Sequence, residues 1–330
     1  MPRIDIEALE DEWEEDEALP PRRSRELSQK AKRSIEALGS ARVVAVDRGR
    51  ITILLEGEVV DATLAGTMRG AKAAVGDRVR VRPSRHESDP PRIVEVLPRE
   101  TVLTRTSDDA MDDERIVVAN ADQVVVVLAA DHLDAGARFL DRVLVAASVG
   151  GLEAVVCVNK IDLATPGPAL DAVDEVTRRY EALGVPTCRT SATTGEGLDH
   201  LRERLTGTWS AFSGHSGVGK SSLFNLLVPE AEREVGDLGR YGGRHTTVSS
   251  RAMEVPGLDA WVVDTPGVRS FGLGGLAPAE LGRHFPELAA LDCELSDCVH
   301  ETEPGCALDP QAVHPERLAS YRRLLAALRE

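Results

Sequence analysis

Between residues 41 and 98 the chain alternates short β-branched runs with turn signals. Arg42–Val46, Ile51–Leu55, Val59–Leu64, Arg78–Val81 and Ile93–Val96 are separated by breaks such as Asp47-Arg48-Gly49 and Gly76-Asp77, a pattern that predicts five short strands. Five strands in so short a stretch fit a small closed barrel of the OB type, and another small barrel fits nearly as well. From about residue 105 to 275 the rhythm changes. Gln123–Leu128 is a continuous apolar run, as expected of a buried parallel strand. Helical periodicity over Ala135–Ser148 follows, then the apolar strand Glu153–Val158. Asp171–Leu183, Pro186–Thr190, Gly197–Leu205 and Trp209–Ser213 continue the alternation, which predicts an α/β domain with a parallel sheet. Residues 276–330 read as helical around a Cys/His cluster and close on an amphipathic helix from Tyr321. The expected division is a charged tail (1–39), an OB-type barrel (40–100), an α/β domain (101–275) and a helical metal-binding domain (276–330).

Composition narrows the class. No segment is apolar for long enough to span a membrane, and the N-terminal residues lack the apolar core of a signal peptide. A cytoplasmic protein is expected by elimination. The net charge of −16 argues weakly against nucleic-acid binding, but it is unevenly spread. Residues 1–20 hold nine acids and a single base, whereas residues 21–33 hold six bases and one acid. The tail reads as a solvated, disordered extension, with residues 22–33 as candidates to touch RNA phosphates.

Gly214-His215-Ser216-Gly217-Val218-Gly219-Lys220-Ser221 matches the phosphate-loop pattern in full. A strand-like segment precedes it, and Ser222-Leu-Phe-Asn-Leu-Leu follows as a helix, the context the motif requires. Its glycines let backbone N–H groups turn inward around a phosphate, and the helix N-terminus adds partial positive charge. Lys220 is expected to reach the β- and γ-phosphates, and Ser221 to offer its hydroxyl to Mg²⁺.

Asn159-Lys160-Ile161-Asp162 follows a strand. An ionised carboxylate only accepts hydrogen bonds. Asp162 can therefore take the N1–H and N2 amino groups of guanine, while adenine would present an unpaired acceptor. Asn159 is expected to hold the loop and touch N7, with Lys160 along the base. Ser191-Ala192 has the form of the loop whose backbone N–H meets guanine O6. Asp264-Thr265-Pro266-Gly267 follows another strand, placing Asp264 to hold Mg²⁺ through water and the Gly267 N–H to sense the γ-phosphate. The Gly-rich stretch between these motifs contains His245, Thr246 and Thr247; one of the threonines is a candidate Mg²⁺ ligand. A plain flexible loop is the competing reading there.

The base reader (159–162, 191–192) precedes the phosphate loop (214–221), which precedes the switches. In ordinary small GTPases the phosphate loop precedes the switches and the base reader comes last, so this order implies a circular permutation. The second switch then leads toward the C-terminal domain and can pull on it.

Cys293, Cys298, His300 and Cys306 offer three thiolates and an imidazole, a set suited to one closed, structural Zn²⁺ site. Cys157 and Cys188 read as core.

Together the motif order, the barrel and the cysteine cluster resemble the ribosome small subunit-dependent GTPase A family (RsgA, also called YjeQ or EngC), over about residues 40–330. The resemblance implies an OB barrel, a permuted GTPase domain and a zinc-binding helical domain. It also implies binding to the 30S subunit late in maturation, contact with 16S rRNA, GTP hydrolysis stimulated by that subunit, and a monomer. Two departures stand out. The tail begins acidic where family members begin basic, and residues 42–98 contain no aromatic residue, which removes base stacking there. RNA contact by the barrel would then go through phosphates, with Arg78, Arg80, Arg82 and Arg85 as candidates, a solvated strand face being the alternative. Val268 occupies the place where many GTPases carry a water-orienting glutamine, so slow turnover by the free protein is expected, with His245 a candidate to orient the water. Competing readings are a permuted GTPase serving the large subunit and a nucleotide-sensing module that barely hydrolyses GTP.

Overall fold

The computed structural model describes residues 38–47, 50–68, 70, 72–83, 89–106, 114–229, 250–265, 271–273 and 275–329. The tail to residue 37, Arg85, His245, Thr246, Thr247, Gly267 and Val268 therefore lie outside the described residues.

All five strands expected in the first part are present: β1 (Gly39–Asp47), β2 (Arg50–Leu55), β3 (Glu58–Leu64), β4 (Arg78–Arg82) and β5 (Arg92–Val96). They pair in the order β1-β2-β3-β5-β4, and β4 returns to β1 through Gly39↔Val81 to Arg42↔Arg78. The sheet is thus closed on itself, the OB-type solution to unpaired edges. Alternate side chains fill it, with Val43, Ile53, Val79, Val81 and Ile93 all buried.

The α/β part contains β8 (Gln123–Ala129), α1 (Leu133–Val149), β9 (Glu153–Asn159), α2 (Pro168–Ala182), β10 (Thr187–Arg189), α3 (Leu198–Leu205), β11 (Trp209–Ser213) and α4 (Lys220–Leu227). After these come β12 (Arg251–Glu254) and β13 (Trp261–Asp264). The strand order β10-β9-β8-β11-β13 is parallel throughout. From β8 the chain moves outward through β9 to β10, then crosses back to β11 on the other side of β8. That reversal makes a topological switch point between β8 and β11, where doubly wound sheets bind ligands. Every residue of β8 is buried. Val124, Val126 and Leu128 face the core beneath α1 and α2, while Val125, Val127 and Ala129 face the core beneath α3 and α4.

Two features differ from the sequence-based expectation. The sheet is mixed, because β12 runs antiparallel to β13 and also touches the barrel through Ala45↔Arg251. The four residues Arg-Ala-Met-Glu carry too little apolar signal to announce a strand. A two-stranded hairpin of β6 (Val102–Thr106) and β7 (Glu114–Ala119) also stands between barrel and α/β sheet. Trp209 joins the two parts: it stacks on Trp261 with centroids 5.0 Å apart, and Arg42 of the barrel lies 3.4 Å over its ring, a cation–π contact. Burial lowers the pKa of Arg42 to about 10.

The C-terminal segment has less helix than expected: a 3-10 turn (Pro278–His284), the short α5 (Pro286–Ala289) and α6 (Pro315–Ala327), around an irregular stretch holding the cysteines. Arg317 of α6 is 3% exposed; it bonds Asp141 of α1 and Glu287 of α5 and stacks on Phe285. Tyr180 of α2 donates to the same Asp141 at 2.8 Å. Among the described residues no helix is long and apolar enough to cross a membrane.

Candidate functional site

Loops leaving the C-terminal ends of β9, β10 and β11 meet at the switch point. The phosphate loop opens at Gly214 and ends in α4, whose first residue is Lys220. Gly219 has φ +93°, a left-handed conformation that suits glycine, and an added Cβ would lie 2.3 Å from Asn159 Nδ2. Gly214 is equally confined, its Cβ position 2.4 Å from the Val127 carbonyl. Lys220 Nζ donates to the carbonyls of Gly214 (2.6 Å) and His215 (3.1 Å), folding over the loop that an anion would fill. Ser216, Ser221 and Ser222 are exposed around it, and Val218 is buried beneath.

Asn159 is fully buried and ties the loops together. Its Nδ2 donates to the Val218 carbonyl at 2.9 Å, and its Oδ1 accepts from Thr190 Oγ1 (3.2 Å) and the Ala192 N–H (3.1 Å). The structure thus spends Asn159 on loop-to-loop bonds and engages the Ala192 amide, the group expected at guanine O6. Lys160 takes a left-handed φ of +63° and reaches Asp131 at 3.4 Å; the Ile161 N–H donates to the Thr190 carbonyl. Ser191 Oγ donates to Asp162 at 2.5 Å and accepts from the Thr193 and Thr194 amides. Asp162 is therefore held by its first oxygen while its carboxylate stays exposed. Thr190 and the side chain of Ser191 are the orienting groups that motif reading missed. Their signal is position, since Thr190 directly precedes the Ser191-Ala192 dipeptide and the Ser191 hydroxyl belongs to it.

Asp264 closes the crevice from β13, beside β11 through Phe212↔Asp264. Burial raises its pKa and the Lys220 charge opposes the shift; reciprocally, burial lowers the pKa of Lys220 and Asp264 opposes it. The pair places a cation and an acid in one half-dry crevice. Thr265 Oγ1 donates to the Phe212 carbonyl at 2.6 Å, securing the start of the following segment. An amide-lined loop with a lysine, a carboxylate on an adjoining strand and a second, exposed carboxylate across the sheet can bind a phosphorylated ligand, a divalent cation and a donor-edged base.

The second cluster lies in the C-terminal segment. The ligand atoms of Cys293, Cys298, His300 and Cys306 all fall within 4.8 Å of one another. The three sulfurs stand 3.5, 3.7 and 3.6 Å from His300 Nδ1. Tetrahedral bonds of normal Zn–S and Zn–N length require roughly 3.6 Å for that edge. The residues therefore fit Zn²⁺, with Nδ1 as the imidazole ligand. The other ring nitrogen packs on Gly282, where an added Cβ would come within 3.0 Å of it. Burial and the neighbouring thiols push Cys298 up to about 12 without a cation.

Of the barrel arginines, Arg78 pairs with Glu100 at 2.6 Å and Arg80 with Glu95 at 3.4 Å. Arg82 instead stands directly opposite Arg92 across the β4–β5 ladder, both exposed.

The fold and its crevice define a circularly permuted, phosphate-loop nucleotide-binding protein. A family model described as RsgA GTPase matches residues 96–274. The small ribosomal subunit biogenesis GTPase RsgA of Gemmatimonas aurantiaca is 40% identical over 284 residues, covering 82% of this chain and 90% of that protein. The protein of that name from Bacteroides fragilis is 34% identical with the same coverage. The crystal structure of YjeQ from Thermotoga maritima superposes with a TM-score of 0.71 at 31% identity, covering 88% of this chain and 98% of that one. YloQ, a circularly permuted GTPase, superposes at 0.69 with 22% identity, covering 89% and 96%, a likeness of fold. The chain belongs to the RsgA GTPase family and is a GTP-hydrolysing enzyme.

Proposed function

We propose that this enzyme binds the 30S ribosomal subunit, assists its late maturation and hydrolyses GTP to GDP and phosphate when the subunit stimulates it. The observation that carries the reading is Asn159, whose amide links the base-reading loop to the phosphate loop in one pocket; the names of the relatives supply the ribosomal partner.

In this reading Asp162 accepts from guanine N1–H and N2, oriented by Ser191, and the Ala192 amide turns to O6. The 214–219 amides and Lys220 hold the phosphates. Ser221, Asp264 and one of Thr246 or Thr247 would hold Mg²⁺, which would supply positive charge against the phosphates. Water attacks the γ-phosphate in line; Gly267 senses that phosphate, and His245 orients the water in a site where Val268 cannot. Cys293, Cys298, His300 and Cys306 hold a structural Zn²⁺. The barrel meets 16S rRNA through phosphates, and Arg82 with Arg92 is a better contact than Arg78 or Arg80, whose charges are already paired. Like charges directly opposite on a ladder repel, and a phosphate relieves that. The protein acts as a cytoplasmic monomer, divided into domains at about residues 40, 101 and 276.

Single-turnover phosphate release by the zinc-loaded protein, with and without 30S subunits, tests the proposal. Release accelerated by 30S and not by 50S subunits is expected; equal rates in all three conditions sink it.

A further inference from the structure

The loop that carries His300 is built around one carboxylate. Residues 299 to 302 present four consecutive backbone N–H groups, and each has an acceptor. The Val299 N–H donates to Glu303 Oε1 at 3.0 Å, and the Glu301 and Thr302 N–H groups donate to Glu303 Oε2 at 2.9 and 3.1 Å. The His300 N–H donates instead to Cys298 Sγ at 3.4 Å. Glu303 thus folds back over the turn that precedes it, a carboxylate inside a nest of amides. Such charge-assisted bonds are stronger than neutral ones. Tyr321 of α6 grips the other side of the same residue, donating to the Val299 carbonyl at 2.7 Å.

What the carboxylate holds is an unfavourable backbone. His300 takes φ +55°, the left-handed region that residues other than glycine seldom enter. Among the four candidate ligands only His300 has a positive φ. From that backbone its imidazole turns inward, buried against Gly282, with Nδ1 3.5, 3.7 and 3.6 Å from the three sulfurs. A relaxed φ at the same Cα would send the ring on another course. Glu301 offers a contrast. Its carboxylate lies next to His300 in the chain, but it is spent on Arg329 at 2.8 Å.

We propose that Glu303 is a positioning residue for the metal: by clamping the amides of Val299, Glu301 and Thr302 it holds His300 in its left-handed conformation and aims Nδ1 at the space between the sulfurs. The proposal rests on the reading of Cys293, Cys298, His300 and Cys306 as a Zn²⁺ site. Clasp and metal act together, since the carboxylate sets the direction of the imidazole and the metal fixes it there. Groups that orient metal ligands from outside the coordination sphere are worth roughly ten- to a hundredfold in metal affinity. The spacing of cysteines and histidine announces the ligands and not the residue that aims one of them.

The test titrates the full chain with Zn²⁺ against a chromogenic chelator, for wild type, Glu303→Gln, Glu303→Asp and Glu301→Gln. Glu303→Gln keeps the size but sets an amide donor among the donors of the loop, and is expected to bind Zn²⁺ about tenfold more weakly. Glu303→Asp keeps the charge, falls one methylene short and should lose less. Glu301→Gln removes a neighbouring charge without touching the clasp and should stay within about twofold, as for an ordinary surface change. Co²⁺ loaded in place of Zn²⁺ reports geometry: at saturation the visible bands of Glu303→Gln should differ from those of wild type, because the imidazole has moved. Should Glu303→Gln fold poorly, Glu303→Asp carries the test, with a smaller loss and a spectral change of the same kind. Wild-type affinity in both Glu303 variants would overturn the proposal, as would equal losses in Glu303→Gln and Glu301→Gln, which would make charge the whole effect. So would weaker binding with an unchanged Co²⁺ spectrum, since Glu303 would then brace the loop without aiming the ligand. Failure of the wild type to bind Zn²⁺ would instead overturn the zinc reading itself.

Discussion

Asn159 Nδ2 donates to the Val218 carbonyl across 59 positions of sequence, so the loop proposed to read the base and the loop proposed to wrap the phosphate share one buried side chain. Asn159→Ala would strand the Val218 carbonyl and the Ala192 amide and leave the Thr190 hydroxyl only Cys157 Sγ at 3.3 Å, and each buried polar group left unpaired costs about 1–3 kcal/mol. GDP affinity should fall at least tenfold and the melting temperature with it. A calorimetric titration giving wild-type affinity for the alanine variant would break the link between the loops.

That bond also marks how far the chain could be read beforehand. The phosphate-loop pattern, Asn159–Asp162, Ser191–Ala192, Asp264 and the Cys293, Cys298, His300 and Cys306 cluster, which the fold does bring together, stood out in the sequence because each expected chemistry demands a fixed residue type at a fixed spacing. The barrel strands and β8 were legible because their apolar periods match their burial. Thr190 and Arg317 were not, since each works through a partner brought close only by folding: Arg317 meets Asp141 from 176 positions away. β12 was missed because its pairing, not its composition, makes it a strand.

Asp162 accepts from Ser191 through one oxygen and stays exposed, free to receive a base. Replacing it with Asn puts an amide donor where guanine also donates, without changing the size of the side chain. Asp162→Asn should lose at least tenfold in GDP affinity and narrow the preference for GTP over ATP, by the cost of opposing donors in a polar site. Competition titrations with GTP and ATP measure it; an unchanged ratio would remove Asp162 from base recognition.

Gly219 and Gly217 separate two kinds of glycine in one loop. Both have positive φ, +93° and +84°, but a Cβ at Gly219 would strike Asn159 Nδ2 whereas at Gly217 nothing lies within 4 Å. Gly217→Ala in the nucleotide-free protein should cost only the backbone strain, about 1 kcal/mol. Gly219→Ala should cost more and also displace Asn159, lowering nucleotide affinity. Equal melting temperatures for the two variants would contradict the geometry.

Arg317 is buried between Asp141 and Glu287 and covers Phe285. It fastens the C-terminal helix to α1. Arg317→Met keeps much of the volume but abandons two acids in a dry interface, a loss of about 3–5 kcal/mol for a broken buried pair. Thermal unfolding should move down by at least 6 °C or so, at about 2–4 °C per kcal/mol for a domain of this size. Little change would mean that water reaches the acids and that the junction is looser than the contacts indicate.

Removing the zinc proposed for the cysteine cluster isolates what that metal would hold. The stretch carrying Cys293, Cys298, His300 and Cys306 has no regular helix or strand, so its shape depends on the four ligands and on Tyr321, which donates to the Val299 carbonyl at 2.7 Å. Cys298→Ser should reduce bound zinc from one per chain to well below one by elemental analysis. It should also expose residues 291–307 to hydrogen exchange, because structural zinc supplies folding energy directly. The nucleotide pocket lies on other elements, so GDP affinity should remain within about twofold, as expected for sites that share no partners. Unchanged zinc content would disqualify Cys298 as a ligand, and loss of GDP binding would show that the two sites fold as one unit.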